Sequence, residues 1–218
     1  MSLYKDEEGG VFAYEVRGNE VAIVSLFVLS KKRNVVVPSK IEGLRVTEIL
    51  SRAFQGKEVE CVSLPESITT IYSRAFEGCS LLKEINLPEN LSELSFRAFA
   101  ECTSLESITI PYATNFESEI FDGCTNLKTA KIEHAIYLPS GVFKNCGLEK
   151  IYLPDSLAGI DRTVFEGVPK NMKIYGNNEY IKNFATKHGY KCVSDSKLGL
   201  FLNEVEKDSE NKDINDCC

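Results

Sequence analysis

The chain has no tryptophan, two methionines and two histidines, His134 and His188, among 218 residues. So few imidazoles leave little material for general-base or zinc chemistry. No His-Glu-x-x-His or Cys-x-x-Cys pair occurs, so neither a catalytic nor a structural zinc is indicated. Gly-x-x-x-x-Gly-Lys-Ser/Thr and Gly-x-Gly-x-x-Gly are both absent, which removes the common phosphate-cradling loops. The acidic residues do not follow a calcium-loop spacing. No run of about 18 apolar residues exists, so nothing in the sequence spans a membrane as a helix. Basic residues are in deficit, 25 against 32 acids for a net charge of −7, which argues against general nucleic-acid binding. The local basic run Lys31-Lys32-Arg33 falls between two expected strands and reads as a solvated turn. Met1 to Gly10 is polar and acidic with no apolar core of a signal peptide. That pattern fits an intracellular chain, or one whose export signal has been removed, leaving cytoplasmic and surface or secreted settings both open.

What the chain has is a period. Phe54, Phe76, Phe99, Phe121, Phe143 and Phe165 follow one another at spacings of 22, 23, 22, 22 and 22. Five residues before each stands an apolar side chain: Ile49, Ile71, Leu94, Phe116, Leu138 or Ile160. A small or β-branched residue sits immediately before each (Ala53, Ala75, Ala98, Ile120, Val142, Val164). Self-similarity at this period is the signature of a solenoid, whose units cannot bury their apolar faces alone and share one core by stacking. The other half of the unit alternates apolar with polar, as in Leu82/Ile85/Leu87 and Leu105/Ile108/Ile110, and reads as a half-buried strand. Pro65, Pro88, Pro111 and Pro154 end it because proline has no ladder donor. The fourth strand departs: Ala130 replaces a larger residue and Lys131-Ile132-Glu133-His134 lacks the proline. With Tyr112–Phe116 and Ala135–Tyr137 it marks an atypical patch, read first as a packing adjustment.

Leu-x-x-Ile-x-Leu-Pro followed by Ile-x-x-x-Ala-Phe-x-Gly-Cys resembles the BspA-like family of leucine-rich repeats, over roughly residues 34 to 193. The resemblance implies an α/β repeat fold, rich in β: a right-handed leucine-rich-repeat solenoid with a parallel sheet on its concave face. An N-terminal β-hairpin cap and a C-terminal strand-helix cap complete it. Residues 1–10 are expected to be loose. Residues 11–33 form the cap hairpin, with strands over Val11–Val16 and Val21–Val28 turned by Arg17-Gly18-Asn19-Glu20. Residues 34–169 form the array, and 170–193 the closing cap. There Met172–Tyr175 reads as a strand, and residues 178–189 as a helix with Ile181, Phe184, Ala185 and His188 on one face and with Asn178 and Gly189 as its caps. Residues 194–218 hold seven acids against three lysines, a net −4, and are expected to be disordered apart from a short helix over Leu198–Val205. In each unit the Ser-Arg-Ala-Phe-Glu-Gly segment is expected to make a short helical turn. Gly78, Gly123 and Gly167 suit the reversal after it, and Glu101 at that place predicts a different turn.

Cys79, Cys102, Cys124 and Cys146 occupy one column, at spacings of 23, 22 and 22. Spread along a stack of coils they cannot surround one zinc, and parallel neighbours do not suit disulfide geometry. They read as reduced, buried, small apolar residues. Cys61 reads as an outward, partly exposed thiol, too far from His134 for the two to act as nucleophile and base. Cys217-Cys218 matches a short prenylation signal, but a simple tail end is favoured. Asn90-Leu91-Ser92 fits a glycosylation acceptor, relevant only in a eukaryotic secretory route. His188 reads as a helix-end contact and His134 as a surface side chain.

With no catalytic residue, cofactor or metal indicated, a surface remains. The outward strand positions Glu84, Asn86, Ser107, Thr109, Thr129, Lys131, Lys150 and Tyr152 form a ribbon, acidic and hydroxyl-rich at one end, basic with an aromatic at the other. Solenoids bind through such faces. Tyr152 with Lys131 and Lys150 is the first choice of contact cluster. The expected function is non-enzymatic protein binding through this concave face, with adhesion implied by the resemblance. An intracellular scaffold and a structural spacer are the alternatives.

Overall fold

The computed structural model describes residues 2–7, 9–28, 33–111 and 115–193. The basic turn at Lys31-Lys32, the start of the atypical patch at residues 112–114, and everything assigned to 194–218, including the Leu198–Val205 helix and Cys217-Cys218, lie outside the described residues.

Coil stacks on coil in strict register. Ile49 pairs with Ile71, Ile71 with Leu94 and Leu94 with Phe116 in one parallel ladder, and Leu138 pairs with Ile160 in another. The strand half-units form the concave sheet. Val35, Val62 and Ile85 are register partners in a three-stranded ladder, and Ile108, Ala130, Ile151, Ile174 and Cys192 in a five-stranded one. The sheet therefore divides after Glu84–Ile85. There the Asn86 side chain takes over the bonding, accepting from Leu64 N and donating to Leu64 O, both at 2.8 Å. The missing proline of the fourth unit also has a consequence. The strand runs over Thr129–Ile132, and Glu133 N donates to Ile110 O at 3.0 Å, a bond that proline could not make.

The segments expected as helical turns are not helices. Alternate amides leave the coil: Phe54 N donates to Ala75 O, Phe76 N to Ala98 O, Phe99 N to Ile120 O, Phe121 N to Val142 O and Phe143 N to Val164 O, at 2.7 to 3.1 Å. Intervening amides make tight local turns, such as Ala75 N to Tyr72 O and Glu77 N to Arg74 O. An α-helix needs every amide for its own i−4 carbonyl, so donating alternate ones to the next coil excludes it. Alternation requires left-handed residues, and Arg74 and Arg97 adopt φ of 60° and 56° although they carry side chains. Glu101 does the same at φ 61°, so its turn does not differ from the glycine turns. The strain, roughly 1–2 kcal/mol per residue, is offset by a bond from Glu101 N to Asp122 O at 2.8 Å.

Inside, the phenylalanine rings form one column. Successive centroids lie 4.7, 5.1, 5.5, 5.5 and 6.1 Å apart with interplanar angles of 5° to 21°. The four column cysteines are buried, and each thiol donates to a phenylalanine carbonyl of the preceding coil: Cys79 to Phe54, Cys102 to Phe76, Cys124 to Phe99 and Cys146 to Phe121, at 3.0 to 3.2 Å. Burial pushes the Cys79 thiol up to about 12 and holds Cys102 and Cys146 well above the usual thiol range.

The ends are closed by different means. Val11–Arg17 and Glu20–Val28 form the antiparallel cap hairpin, and the second strand continues in parallel onto Leu44–Ile49. Residues 1–10 are not loose throughout: Ser2–Lys5 adds an antiparallel strand to the hairpin edge, with Tyr4 6.5 Å from Phe12. At the other end Phe184 and Tyr190 meet Phe165 edge-on and terminate the ring stack. Tyr190 stands 22 residues after Val168 in the cysteine column, and its hydroxyl donates to Phe165 O at 3.3 Å as the thiols do in earlier coils. The helix spans Glu179–His188. Asn178 accepts from Ile181 N at its start, and Gly189, at φ 75°, ends it.

Two outcomes are expected. Phe99→Ala, in the middle of the stack and fully buried, lowers stability by about 3–5 kcal/mol, read from chemical denaturation. The thiols make the fold sensitive to alkali. Their folded pKa lies above the unfolded value of about 8.5, so the unfolded chain binds fewer protons above that pH. Stability is therefore intact below about 8.5 and falls as pH rises toward the folded values. Replacing Cys102 and Cys146 by alanine flattens that decline, measured as melting temperature against pH.

Candidate functional site

Two columns of side chains point away from the core on the concave face. In register order the first runs Asn34, Cys61, Glu84 across the three-stranded part, then Ser107, Thr129, Lys150, Lys173 and Lys191 across the five-stranded part. The second runs Val36 and Ser63, then Thr109, Lys131, Tyr152, Tyr175 and Val193. Neighbours in a column are one strand spacing apart, about 4.8 Å.

The structure brings six of the eight expected residues, Ser107, Thr109, Thr129, Lys131, Lys150 and Tyr152, into one five-stranded surface and separates the other two. Glu84 lies across the sheet break, half-buried, and Asn86 spends its amide on the Leu64 backbone, which extends the pairing of its coil with the preceding one. Lys131 is largely covered, with a side chain 19% exposed and an ion pair to Glu133 at 3.0 Å. Ser107 and Thr109 are exposed. Cys61 is not the partly exposed thiol its position suggests. It is 5% exposed, enclosed between its register partners Asn34 and Glu84.

Sequence reasoning missed Lys173, Tyr175 and Lys191, which extend the basic and aromatic end of the ribbon. The signal was present: Lys150-Ile151-Tyr152 recurs as Lys173-Ile174-Tyr175 at a spacing of 23, the repeat period itself. Assigning the second copy to a cap hid the fact that it continues the same sheet.

Charge is organised differently one position before the strands. There Arg33, Glu60, Lys83, Glu106, Lys128 and Glu149 alternate in sign from coil to coil. Arg33 reaches Glu58 at 3.0 Å and Glu60 at 3.8 Å, Lys83 reaches Glu60 at 3.0 Å, and Lys128 reaches Glu149 at 4.0 Å. The hydrogen bond from Lys83 holds the Glu60 carboxyl below its ordinary range. The Lys150, Lys173, Lys191 column, in contrast, places three like charges at adjacent register positions.

A second polar cluster sits on the turn ribbon. Arg97 contacts Glu77 at 2.6 Å, Glu101 at 2.8 Å, Asp122 at 3.0 Å and Glu119 at 3.1 Å, joining three coils. Burial opposes its charge, but hydrogen bonds to Glu77, Glu119 and Asp122 outweigh that and raise the guanidinium pKa. Gln55 donates to the other Glu77 oxygen at 2.6 Å. With its donors engaged this way, the cluster ties coils together. A cavity of about 490 Å³ at the C-terminal end, where a further coil would stack, is lined by residues including Arg162, Phe165, Lys170, Phe184, His188 and Tyr190. His188 stacks on Phe184 at 4.4 Å, and Lys170 donates to the Tyr190 hydroxyl at 3.2 Å. Among the described residues no cluster of three or more His, Cys, Asp and Glu could hold a metal ion, and no helix is long and apolar enough to cross a membrane.

Six copies of the BspA-type leucine-rich repeat region match residues 47–173. The chain belongs to the BspA-type leucine-rich repeat family. Such repeats generally serve as protein-interaction modules. A search of curated protein sequences returned no match. Among solved structures, the leucine-rich repeat protein TpLRR of T. pallidum is 28% identical with a TM-score of 0.60, covering 84% of this chain and 95% of that one. A leucine-rich repeat protein from Bacteroides capillosus is 25% identical with a TM-score of 0.54, over 62% of this chain and all of that one. The pneumococcal vaccine antigen PcpA is 20% identical with a TM-score of 0.72, over 86% of this chain and 46% of that one, and shows the shared fold alone. In this BspA-type array the repeat residues build the core, and the residues between them, on the concave face, differ from coil to coil.

Arg97→Ala leaves the mostly buried Glu77 carboxylate with only Gln55 at 2.6 Å and a longer ion pair to Arg74 at 3.7 Å. The expected loss is on the order of 2–3 kcal/mol, near the low end for breaking a buried pair because Glu101 and Glu119 face water. Denaturant titration checks it, and Arg97→Lys should recover only part of the loss, since one ammonium cannot meet four carboxylates in the guanidinium's geometry.

Proposed function

We propose that this chain is a non-catalytic protein-binding module that uses the C-terminal part of its concave face in an adhesive contact. The observation that supports the reading is the joined surface of Lys150, Lys173 and Lys191 beside Tyr152 and Tyr175. The turn-ribbon cluster sets Arg97 and Arg74 among four carboxylates, and the column before the strands alternates in sign. The lysine column instead concentrates one sign, so it is the part of the surface best suited to an acidic protein segment. The two tyrosines supply rigid amphipathic area of the kind enriched at binding hot spots. Ser107, Thr109 and Thr129 extend the face with hydroxyls. Lys131 contributes chiefly by holding Glu133.

The test is affinity capture with the folded chain, comparing wild type with Lys150→Glu/Lys173→Glu. A specific partner should be retained by the wild type and lost, by tenfold or more in affinity, from the charge-reversed variant, with melting temperature preserved. Equal retention by both would remove this face as the binding site. Localising the protein in its native cells separates the settings, since retention in the cytosol would count against adhesion and for an intracellular scaffold.

A further inference from the structure

The turn ribbon donates in one direction, and its last coil has no coil ahead of it. In each earlier coil the phenylalanine amide and the amide two residues later both donate forward. Phe121 N and Gly123 N reach Val142 O and Lys144 O, and Phe143 N and Asn145 N reach Val164 O and Glu166 O, at 2.8 to 3.1 Å. Phe165 N and Gly167 N are the equivalent pair in the last coil. Among the described residues neither donates to an acceptor. The amide two residues before the phenylalanine, which in earlier coils also donates forward, is capped locally. Asp161 Oδ1 accepts from Thr163 N at 2.9 Å and from Thr163 Oγ1 at 2.6 Å. Phe165 and Gly167 line the cavity of about 490 Å³ at this end, which is in the size range of small-ligand sites. Arg162 and Lys170 line it as well. Lys170 is held in place, with its ammonium 4.3 Å from the Tyr190 ring centre and donating to the Tyr190 hydroxyl at 3.2 Å and to His188 O at 3.3 Å. An ammonium has three donors, so one is left for the cavity. Glu166 is the one carboxylate among the described lining residues, and it pairs with Lys144 of the preceding coil at 3.4 Å.

We propose that this end cavity binds the phosphoryl group of a small soluble phosphomonoester. A backbone N–H without an acceptor is costly to enclose, so a group that brings acceptors to Phe165 N and Gly167 N gains by it. A neutral carbonyl compound would meet the two amides and leave Arg162 and Lys170 unused. A carboxylate brings charge but only two oxygens. A phosphomonoester brings charge and three terminal oxygens, enough to accept from both amides, the guanidinium and the ammonium together, and bonds to ionised groups are the strong ones. The rest of a small ligand lies against Phe184, His188 and Tyr190, which complete the wall. A cavity of this volume takes a small molecule whole, which favours it over a chain or a membrane surface. None of the lining residues belongs to the concave columns, so the site is independent of the protein-binding face.

Amide-resolved NMR titration of the nitrogen-labelled full chain tests it. The probes are inorganic phosphate, glycerol phosphate, acetate, and phosphatidylcholine vesicles containing phosphatidic acid, all at constant ionic strength. The expected result is a saturable shift of the Phe165 and Gly167 amides with inorganic phosphate and with glycerol phosphate, and binding of acetate about tenfold weaker, the scale of one lost charge-assisted hydrogen bond. Arg162→Gln/Lys170→Gln should weaken phosphate by about tenfold or more on the same scale. Arg162→Gln alone, at an exposed position, should weaken it in the same direction with melting temperature preserved, which keeps the test decisive if the double variant folds poorly. Lys150→Gln/Lys173→Gln on the concave face should leave phosphate binding unchanged. Shifts that never saturate, or that follow lysines over the whole surface and leave Phe165 and Gly167 unmoved, would mean an adventitious ion only and overturn the site. Unchanged affinity in both Arg162 variants would overturn it too. Acetate binding as tightly as phosphate would overturn the phosphoryl assignment, and binding to the vesicles without binding to glycerol phosphate would overturn the small soluble ligand.

Discussion

Everything in this structure depends on the register with which one coil sits on the next, and that register is set at the phenylalanine. Phe76 is a representative case. Its amide donates forward to Ala98, its ring stacks between Phe54 and Phe99, and its carbonyl receives the Cys102 thiol. No coil satisfies these groups alone. A unit of about 22 residues is too short to enclose a ring or to close a backbone ladder, so each becomes stable only against its neighbours. This also explains the tolerance of left-handed Arg74, Arg97 and Glu101, whose local strain is held by bonds that cross between coils.

The same constraint explains the ends. A stack that satisfies itself by neighbours must be stopped, and the two stops differ. The N-terminal hairpin extends the flank sheet and closes its edge antiparallel with Ser2–Lys5. The C-terminal cap imitates a coil instead, with Lys173–Tyr175 and Lys191–Val193 continuing the concave register and Tyr190 taking the cysteine's place against Phe165. Because the cap imitates a coil, the face it continues is longer than the repeat array. The basic and aromatic columns are complete only where array and cap meet.

Fixed core positions leave the intervening positions to vary, which is how one architecture serves many partners. Here the variation has direction, from Glu84 and hydroxyls at one end to lysines and tyrosines at the other. The chemistry on offer is charge and aromatic area on a rigid sheet. The polar groups of the turn ribbon are employed in holding coils together.

The repeat, the six phenylalanines, the cysteine column, the cap helix with Asn178 and Gly189, and the inward positions of each strand were all legible in the sequence. Each is a property of one unit multiplied by stacking, and stacking makes period equivalent to position. Other features required three dimensions. The turn ribbon replaced a helical turn because alternate amides find acceptors in the next coil, which no local propensity reports. Cys61 is buried because its neighbours across the sheet enclose it, not because of its place along the strand. Asn86 left the binding surface because Leu64, 22 residues earlier, presents both a donor and an acceptor to its amide. Arg97 gathers Glu77, Glu119 and Asp122 from 20, 22 and 25 residues away. The sequence by itself determined what each coil contributes to the shared core. Only the tertiary structure decided which coils, and which part of the cap, combine into a surface, because that depends on contacts between units and not within them.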